Sequence, residues 1–108
     1  MNVHVLEADG PPIADGGDVL ALIYDEAAAE ADWIAVPVER FEPGFFDLRT
    51  GIAGDIAQKV VNYRARLAVV GDVSVQTERS TAFRDFVRES ARSPHLRFVP
   101  DVAALTGG

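Results

Sequence analysis

The stretch that decides the fold runs from Phe45 to Asp72, FFDLRTGIAGDIAQKVVNYRARLAVVGD. Its first half predicts an amphipathic helix, because apolar side chains recur every three or four residues, at Ile52, Ile56, Val60 and Tyr63. Its second half, 67–70, is a short apolar run followed by Gly-Asp, which is typical of a strand buried on both faces of a parallel sheet. The short connection between the two halves indicates an αβ unit.

The start of this helix carries most of the local chemistry. Asp47 and Thr50 are competing N-caps, since either side-chain oxygen can accept a hydrogen bond from the free N–H groups of the first turn. Gly51 and Gly54 are poor helix formers, each costing about 1 kcal/mol relative to Ala. We therefore expect either a neighbouring segment packed tightly on these glycines, which is the simpler explanation, or an anion bound at the helix N-terminus.

The rest of the chain alternates between strand and helix patterns. We expect strands at 3–7, 33–38, 67–70 and 96–99, and helices at about 19–29, 50–63, 80–91 and 102–105. Ile13 and Ala14 form either a short extra strand or the entry to the first helix, and Pro37 belongs at a strand end because it has no N–H group. The alternation predicts the α/β class, with four helices packed on a mostly parallel sheet of four or five strands.

Composition indicates one globular domain spanning residues 1–108. The chain has no cysteine, which excludes disulfides, thiol catalysis and cysteine metal sites. No apolar run approaches the ~20 residues that a membrane-spanning helix needs, and the N-terminus lacks the layout of a signal peptide. We therefore expect a cytoplasmic protein that does not associate with a membrane.

The charge is unevenly distributed along the chain. Residues 1–44 hold ten acids and one Arg (net −9), whereas residues 45–108 hold seven acids and nine bases (net +2), which together give −7. Nucleic acid is not an expected partner, because its binding relies on Lys and Arg neutralising phosphates. The asymmetry instead suggests a basic protein partner or head-to-tail self-association, although acids that merely keep the surface soluble are the simpler explanation.

Carboxylates follow several of the predicted strands. In an open parallel sheet, ligands bind beyond the carboxyl ends of the strands, and Glu39, Asp72 and Asp101 are placed there. Converging carboxylates could hold Mg²⁺, but Asp is also the favoured residue of caps and turns. His4 and His95 lack companions at ligand spacing, and there is no phosphate loop. We predict no catalytic residues, no metal and no cofactor.

From the Asp32-Trp33 strand to Leu105, the sequence resembles a bacterial family known as domain of unknown function 4180. The segments FFDLRTG, VNYR…VGD, FRDFVRES and RFVPDVAAL carry this resemblance. The family name implies no activity. The family is in turn distantly similar to STAS domains, the anti-sigma factor antagonist fold, in its element order and in one segment.

That segment is the predicted helix start. STAS domains place an Asp-Ser-Ser/Thr-Gly motif at the start of a helix after a central strand, and a partner kinase phosphorylates the last hydroxyl in switchable members. Aligning Gly51 with the motif's glycine puts Thr50 in the hydroxyl position, with Leu48 and Arg49 replacing the preceding Asp-Ser and Asp47 one position off. The resemblance implies a phosphorylation switch at Thr50, with Arg49 near the phosphate; the alternative is that Thr50 is only a cap.

Our leading hypothesis is a non-enzymatic, regulatory STAS-like domain that binds a protein partner, or a second copy of itself as a homodimer. The candidate binding residues are Phe45, Phe46, Asp47, Arg49, Thr50, Gly51 and Gly54. This hypothesis takes Phe45 and Phe46 as exposed beside the helix start; the alternative is that the pair anchors the core. One alternative is a module that binds a small anion or nucleotide at helix N-termini and strand-end loops. Another is a magnesium-dependent enzyme that uses Glu39, Asp72 and Asp101.

Overall fold

A computed structural model describes residues 1–106 and confirms the α/β class, with four parallel strands and five helices in that range. The strands are β1 (Val3–Val5), β2 (Trp33–Pro37), β3 (Leu67–Val70) and β4 (Leu96–Val99). The helices are α1 (Gly16–Ile23), α2 (Ile52–Asn62), α3 (Ser74–Arg79), α4 (Thr81–Ser90) and α5 (Ala103–Thr106). Short 3₁₀ turns lie at Glu26–Ala28, Val38–Arg40, Pro43–Phe46 and Leu48–Thr50.

The four strands lie side by side in the same order as along the chain, β1-β2-β3-β4. Parallel neighbours need crossover connections, and the right-handed rule places successive crossovers in such an order on one face of the sheet. The main core accordingly joins α1, α2 and α4 to one sheet face. Its fully buried members include Val19, Val36, Ile56, Val60, Leu67 and Phe83.

The opposite face of the sheet has a smaller core. Trp33, Ala35 and Ala68 are buried there against Leu105 of α5. The guanidinium carbons of two arginines also lie over the Trp33 ring, at 5.9 Å for Arg66 and 5.2 Å for Arg97. The sheet is therefore covered by several helices on one face, but by a single four-residue helix and long polar side chains on the other.

The buried cation Arg40 fixes the carboxyl end of β2. Its side chain is only 6 % exposed. Its Nε donates to the Pro11 carbonyl at 2.8 Å, and its Nη1 donates to the Glu7 carbonyl at 2.9 Å. The backbone of Gly10 lies so close to this guanidinium that a Cβ atom would collide with it. Arg40 thus ties the loop after β1 to the end of β2, a role that the sequence analysis did not assign.

Element boundaries differ from the predictions where a local cap interrupts a helix. The first helix ends at Ile23 because Asp25 begins a 3₁₀ turn, accepting a hydrogen bond from Ala27 N–H at 2.9 Å. Tyr63 was expected on the inner face of the central helix but is 46 % exposed, since it is the C-cap of α2. Ile13 makes only an isolated bridge to Phe41, so the sheet has four strands.

The segment after β3 also differs from the prediction, because it contains a whole helix, α3, that the polar sequence pattern did not reveal. The Asp72 carboxylate accepts a hydrogen bond from Ser74 N–H at 2.8 Å where α3 begins. Ser80 then caps α4 as predicted, accepting from Phe83 N–H at 3.1 Å. Strands β3 and β4 have the predicted bounds, and Pro37 ends β2.

Phe45 lies at the centre of the main core, so its interpretation as a core anchor is confirmed and the expectation that it is exposed is wrong. Its side chain is 0 % exposed. The 3₁₀ turn at Pro43–Phe46 directs it inward among four other rings, whose centroids lie at 4.4 Å (Phe41), 5.2 Å (Phe46), 6.1 Å (Phe83) and 6.1 Å (Phe98). Phe46 is only partly buried and stays at the surface of this cluster.

We expect Phe45→Ala to lower the free energy of unfolding by about 3–5 kcal/mol, because the surrounding rings can only partly fill the cavity left behind. Urea denaturation followed by circular dichroism measures this loss. Val75→Ala is the control, since Val75 is 50 % exposed and its truncation should change stability by no more than about 0.5 kcal/mol. A loss for Phe45→Ala as small as that of the control would contradict the central position of Phe45.

Candidate functional site

The predicted helix start lies at the carboxyl edge of the sheet, because the segment 38–51 leads from the end of β2 to the first residue of α2. After the 3₁₀ turn at Val38–Arg40, two further 3₁₀ turns, Pro43–Phe46 and Leu48–Thr50, lead to α2. Asp47 caps the second turn through a hydrogen bond from Arg49 N–H to Oδ1 at 3.1 Å, and therefore does not cap α2. The N-cap of α2 is Gly51, whose φ of +78° lies in the left-handed region that favours glycine.

Thr50 holds the two 3₁₀ turns and α2 together. Its hydroxyl donates to the carbonyls of Gly44 and Asp47, at 2.7 and 2.8 Å. The same oxygen accepts from Ile52 N–H at 3.2 Å, which satisfies one of the free donors at the helix start. Thr50 is exposed and so is accessible to a partner, yet each of its hydrogen bonds serves the local fold.

Arg49 forms a bidentate ion pair with Asp47, with Nε–Oδ1 and Nη2–Oδ2 distances of 3.0 and 2.9 Å. The hydrogen bond from the Arg49 side chain, followed by that from its backbone N–H, holds the pKa of the Asp47 carboxyl below its usual value of 3.8. Because the Arg49 side chain is 91 % exposed, this pair adds little to stability. It does fix the direction in which Arg49 projects from the surface.

Gly54 is exposed in the first turn of α2, and the expectation of tight packing on it is wrong. A Cβ atom placed on Gly54 would have no heavy atom within 4 Å, and the same holds for Gly51. The left-handed φ accounts for Gly51, but no contact among residues 1–106 requires a glycine at position 54. This residue weakens the helix without an intramolecular reason.

A groove lies beside this helix start. Phe46 lines a cavity of about 320 Å³, whose other walls are Phe41, Pro43, Asp47, Gln76, Arg79 and Ser80. A second cavity of about 300 Å³ adjoins it and shares Phe46, Asp47, Arg79 and Ser80. Within the described part of the chain, the buried Oε1 of Gln76 has no hydrogen-bond partner. Gln76 and Arg79 were not predicted, because the sequence of α3 has no clear helical pattern; its only signal is Asp72, two residues before the helix.

The strand-end carboxylates do not form a metal site. Across residues 1–106 no group of three His, Asp or Glu side chains is arranged to hold a metal ion, so the geometry that the magnesium hypothesis requires is not present. Asp101 accepts from Ala104 N–H at 3.0 Å at the start of α5. The hydrogen bond from Ser74 N–H lowers the pKa of Asp72. Both carboxylates are thus engaged by backbone N–H groups near the starts of α3 and α5, and Glu39 is exposed near Gly71.

Comparison with known proteins places the chain in a family but gives no activity. The family model described as "Domain of unknown function (DUF4180)" matches residues 1–107. The chain belongs to this family. No curated protein and no solved structure matches it. Within residues 1–106, no helix has the length and apolar character needed to cross a membrane. The site must therefore be interpreted from its own geometry.

Gly54→Ala should raise the free energy of unfolding by up to about 1 kcal/mol, because Ala is the better helix former and its methyl group meets open space. Chemical denaturation measures the change. Gly51→Ala provides the contrast, since its left-handed φ should make the same substitution destabilising. If Gly54→Ala proved destabilising, Gly54 would have a role inside the folded chain after all.

An NMR pH titration should give a midpoint for the Asp47 carboxyl below 3.8, and Arg49→Ala should raise it because the Arg49 side chain is the largest cause of the shift. The folded pKa is lowered, so the small stabilisation from the pair is present above the unfolded-state pKa and is lost as the pH falls through the folded value. The Asp72 midpoint, lowered by Ser74, should not respond to Arg49→Ala. An unchanged Asp47 midpoint in that variant would contradict the pairing.

Proposed function

We propose that this protein is a non-enzymatic regulatory domain that resembles STAS domains and binds a protein partner. The proposed binding surface consists of Phe46, Arg49, Thr50, Gly51 and Gly54, and we call it the helix-start surface. It differs from the predicted set because Phe45 is buried, and because Asp47 caps the 3₁₀ turn at Leu48–Thr50 and its side chain is less exposed than that of Arg49, 41 % against 91 %. A cytoplasmic location fits this role.

Gly54 is the observation that carries this proposal. An exposed glycine within a helix is unfavourable for the isolated chain, and its surroundings leave space where a side chain could stand. A residue that is unfavourable for local folding, and that no contact inside the fold compensates, is expected at functional positions. A glycine on an exposed helix turn allows the backbone of a partner to approach the helix closely.

The groove lined by Phe46 supports the same conclusion. Phe46 packs against Phe45 and Phe83, with ring centroids at 5.2 and 5.4 Å, so the aromatic core supports this wall of the groove. A cavity of about 320 Å³ lies at the lower end of the range for small-molecule sites, and it also suits one anchoring side chain of a protein. Buried anchors in pockets dominate the energetics of most protein interfaces.

The similarity to STAS domains gives this surface a regulatory interpretation. Thr50 precedes Gly51 at the start of the helix that follows β2, as in the phosphorylated motif of that fold. In this proposal Thr50 acts as a cap in the unmodified protein. Phosphorylation of Thr50 would remove its donation to the Gly44 and Asp47 carbonyls and would add nearly two negative charges at a helix N-terminus. The surface seen by the partner would change.

Gly54→Glu is the variant that tests the helix-start surface. A carboxylate in the first turn suits the helix dipole, so the fold should be retained, whereas the bulk and charge should weaken partner binding by at least about tenfold, equivalent to ~1.4 kcal/mol. Tagged wild-type protein and variant are used for affinity capture from the native cell, with mass spectrometry of captured proteins and of phosphorylation at Thr50. Sedimentation velocity tests whether the partner is a second copy.

Asn62→Glu is the matched control, because it introduces the same side chain at an exposed position in the last turn of the same helix. It should capture the same partners as wild type. If Gly54→Glu, folded by circular dichroism, also retained every partner at wild-type affinity, binding through the helix-start surface would be excluded.

A further inference from the structure

A separate cavity lies at the opposite end of the strands, beside the amino ends of β2 and β3. Its volume is about 360 Å³, within the range of small-ligand sites. Ile23 and Ile34 supply apolar walls, and four alanines line the cavity and leave the space open: Ala28, Ala29, Ala31 and Ala65. None of the functional hypotheses drawn from the sequence involves this region.

Arg64 lines this cavity in an unusual backbone conformation. It directly follows the C-cap of α2, and its φ of +53° makes it the one non-glycine residue with positive φ among residues 1–106. Its N–H donates to the Val61 carbonyl at 3.0 Å, and Ala65 N–H donates to the Val60 carbonyl at 2.9 Å, which is the Schellman pattern of helix ends. Glycine is the usual residue at this position because it adopts positive φ without steric cost.

The Arg64 side chain has no partner that explains its presence inside the fold. It is exposed and forms no ion pair with any group in residues 1–106. The chain therefore keeps a guanidinium where glycine would be less strained. This is the kind of local conflict expected where a side chain serves binding.

The surroundings of Arg64 favour an anion that carries a ring. Arg66 also lines the cavity, but its guanidinium lies over the Trp33 ring on the other face of the sheet. Among the described lining residues Asp32 is the one acid, and Arg64 is the cation with neither an ion-pair partner nor an aromatic ring beneath it. Asp32 is already engaged, since its Oδ2 accepts from the N–H of Asn2 at 2.8 Å. Tyr63 lines the cavity and packs edge-to-face on Tyr24 at 5.7 Å; the two residues are 46 % and 69 % exposed, so a ligand can reach them.

We propose that this cavity binds a small phosphomonoester with an aromatic ring, of the nucleoside monophosphate class. The phosphate pairs with the Arg64 guanidinium, since arginine matches phosphate oxygens with two parallel hydrogen bonds. The aromatic ring of the ligand stacks beside Tyr63 and Tyr24. The site is distant in the chain from the helix-start surface, at the other end of α2, and stands independently of the protein-binding proposal.

The test uses the full chain with AMP, GMP, CMP and UMP up to about 5 mM, above the roughly 1 μM–1 mM range typical of metabolite sites. At least one nucleotide should raise the Tm, because a ligand that binds only the folded state stabilises it, and calorimetry should give a Kd below about 1 mM. The corresponding nucleoside and inorganic phosphate are measured separately and should each bind at least about tenfold more weakly.

Arg64→Gly is the decisive variant. It should not lower the Tm of the unliganded protein, since glycine accepts the left-handed φ, but it should weaken nucleotide binding at least about tenfold. Arg92→Gly is the matched control, because it removes the same charge at an exposed position just after another helix, outside the cavity. This control should bind as wild type does.

Four outcomes would overturn the proposal. The first two are that no nucleotide binds in this concentration range and that Arg64→Gly binds nucleotide as tightly as wild type. The third is that the nucleoside or inorganic phosphate binds as tightly as the nucleotide. The fourth is a lowered Tm of Arg64→Gly, which would show that the Arg64 side chain serves the fold. Because the readout is nucleotide binding by the purified chain, the result does not depend on whether the helix-start surface binds a protein.

Discussion

The order of the strands is the constraint on which the rest of this structure depends. Four parallel strands lie side by side in chain order, and each crossover between neighbours is expected to be right-handed. Helices α1, α2 and α4 therefore share a single core on one face of the sheet. Because the strands are parallel, the helices that connect them start beside the carboxyl ends of the strands and end beside the amino ends. Phe45, in the centre of that core, fixes the turns from which α2 begins.

Helix α2 runs between the two ends of the strands, and each end of this helix has a residue that is unfavourable for the local backbone conformation. Its first turn has a glycine at an exposed position where a side chain would fit, and its end has an arginine where glycine would be less strained. Between them, Ile56 and Val60 are completely buried and hold the helix in place. A well-anchored helix tolerates such local losses at its ends, because packing rather than intrinsic propensity supplies most of its stability.

The sequence predicted the elements whose signal is local and strong. The apolar runs of β3 and β4 and the Ser80 cap were located correctly, because a buried strand and an N-cap depend on few neighbouring residues. Phe45 was misplaced because adjacent aromatic residues in a 3₁₀ turn point in different directions, which no period reveals. Helix α3 was missed because it has no fully buried residue. The cavity that Arg64 lines was missed because its walls come from separate parts of the chain.

The strand order also converts a pattern in the sequence into a pattern in space. The acid-rich residues 1–44 include β1, α1 and β2 at one side of the sheet, and the slightly basic residues 45–108 include β3, α4 and β4 at the other. The folded chain is consequently an electric dipole whose axis runs across the strands. At low ionic strength such a molecule turns its acidic side toward an approaching cation-rich surface before contact, and salt at about 0.15 M shortens the reach of this alignment to about 8 Å.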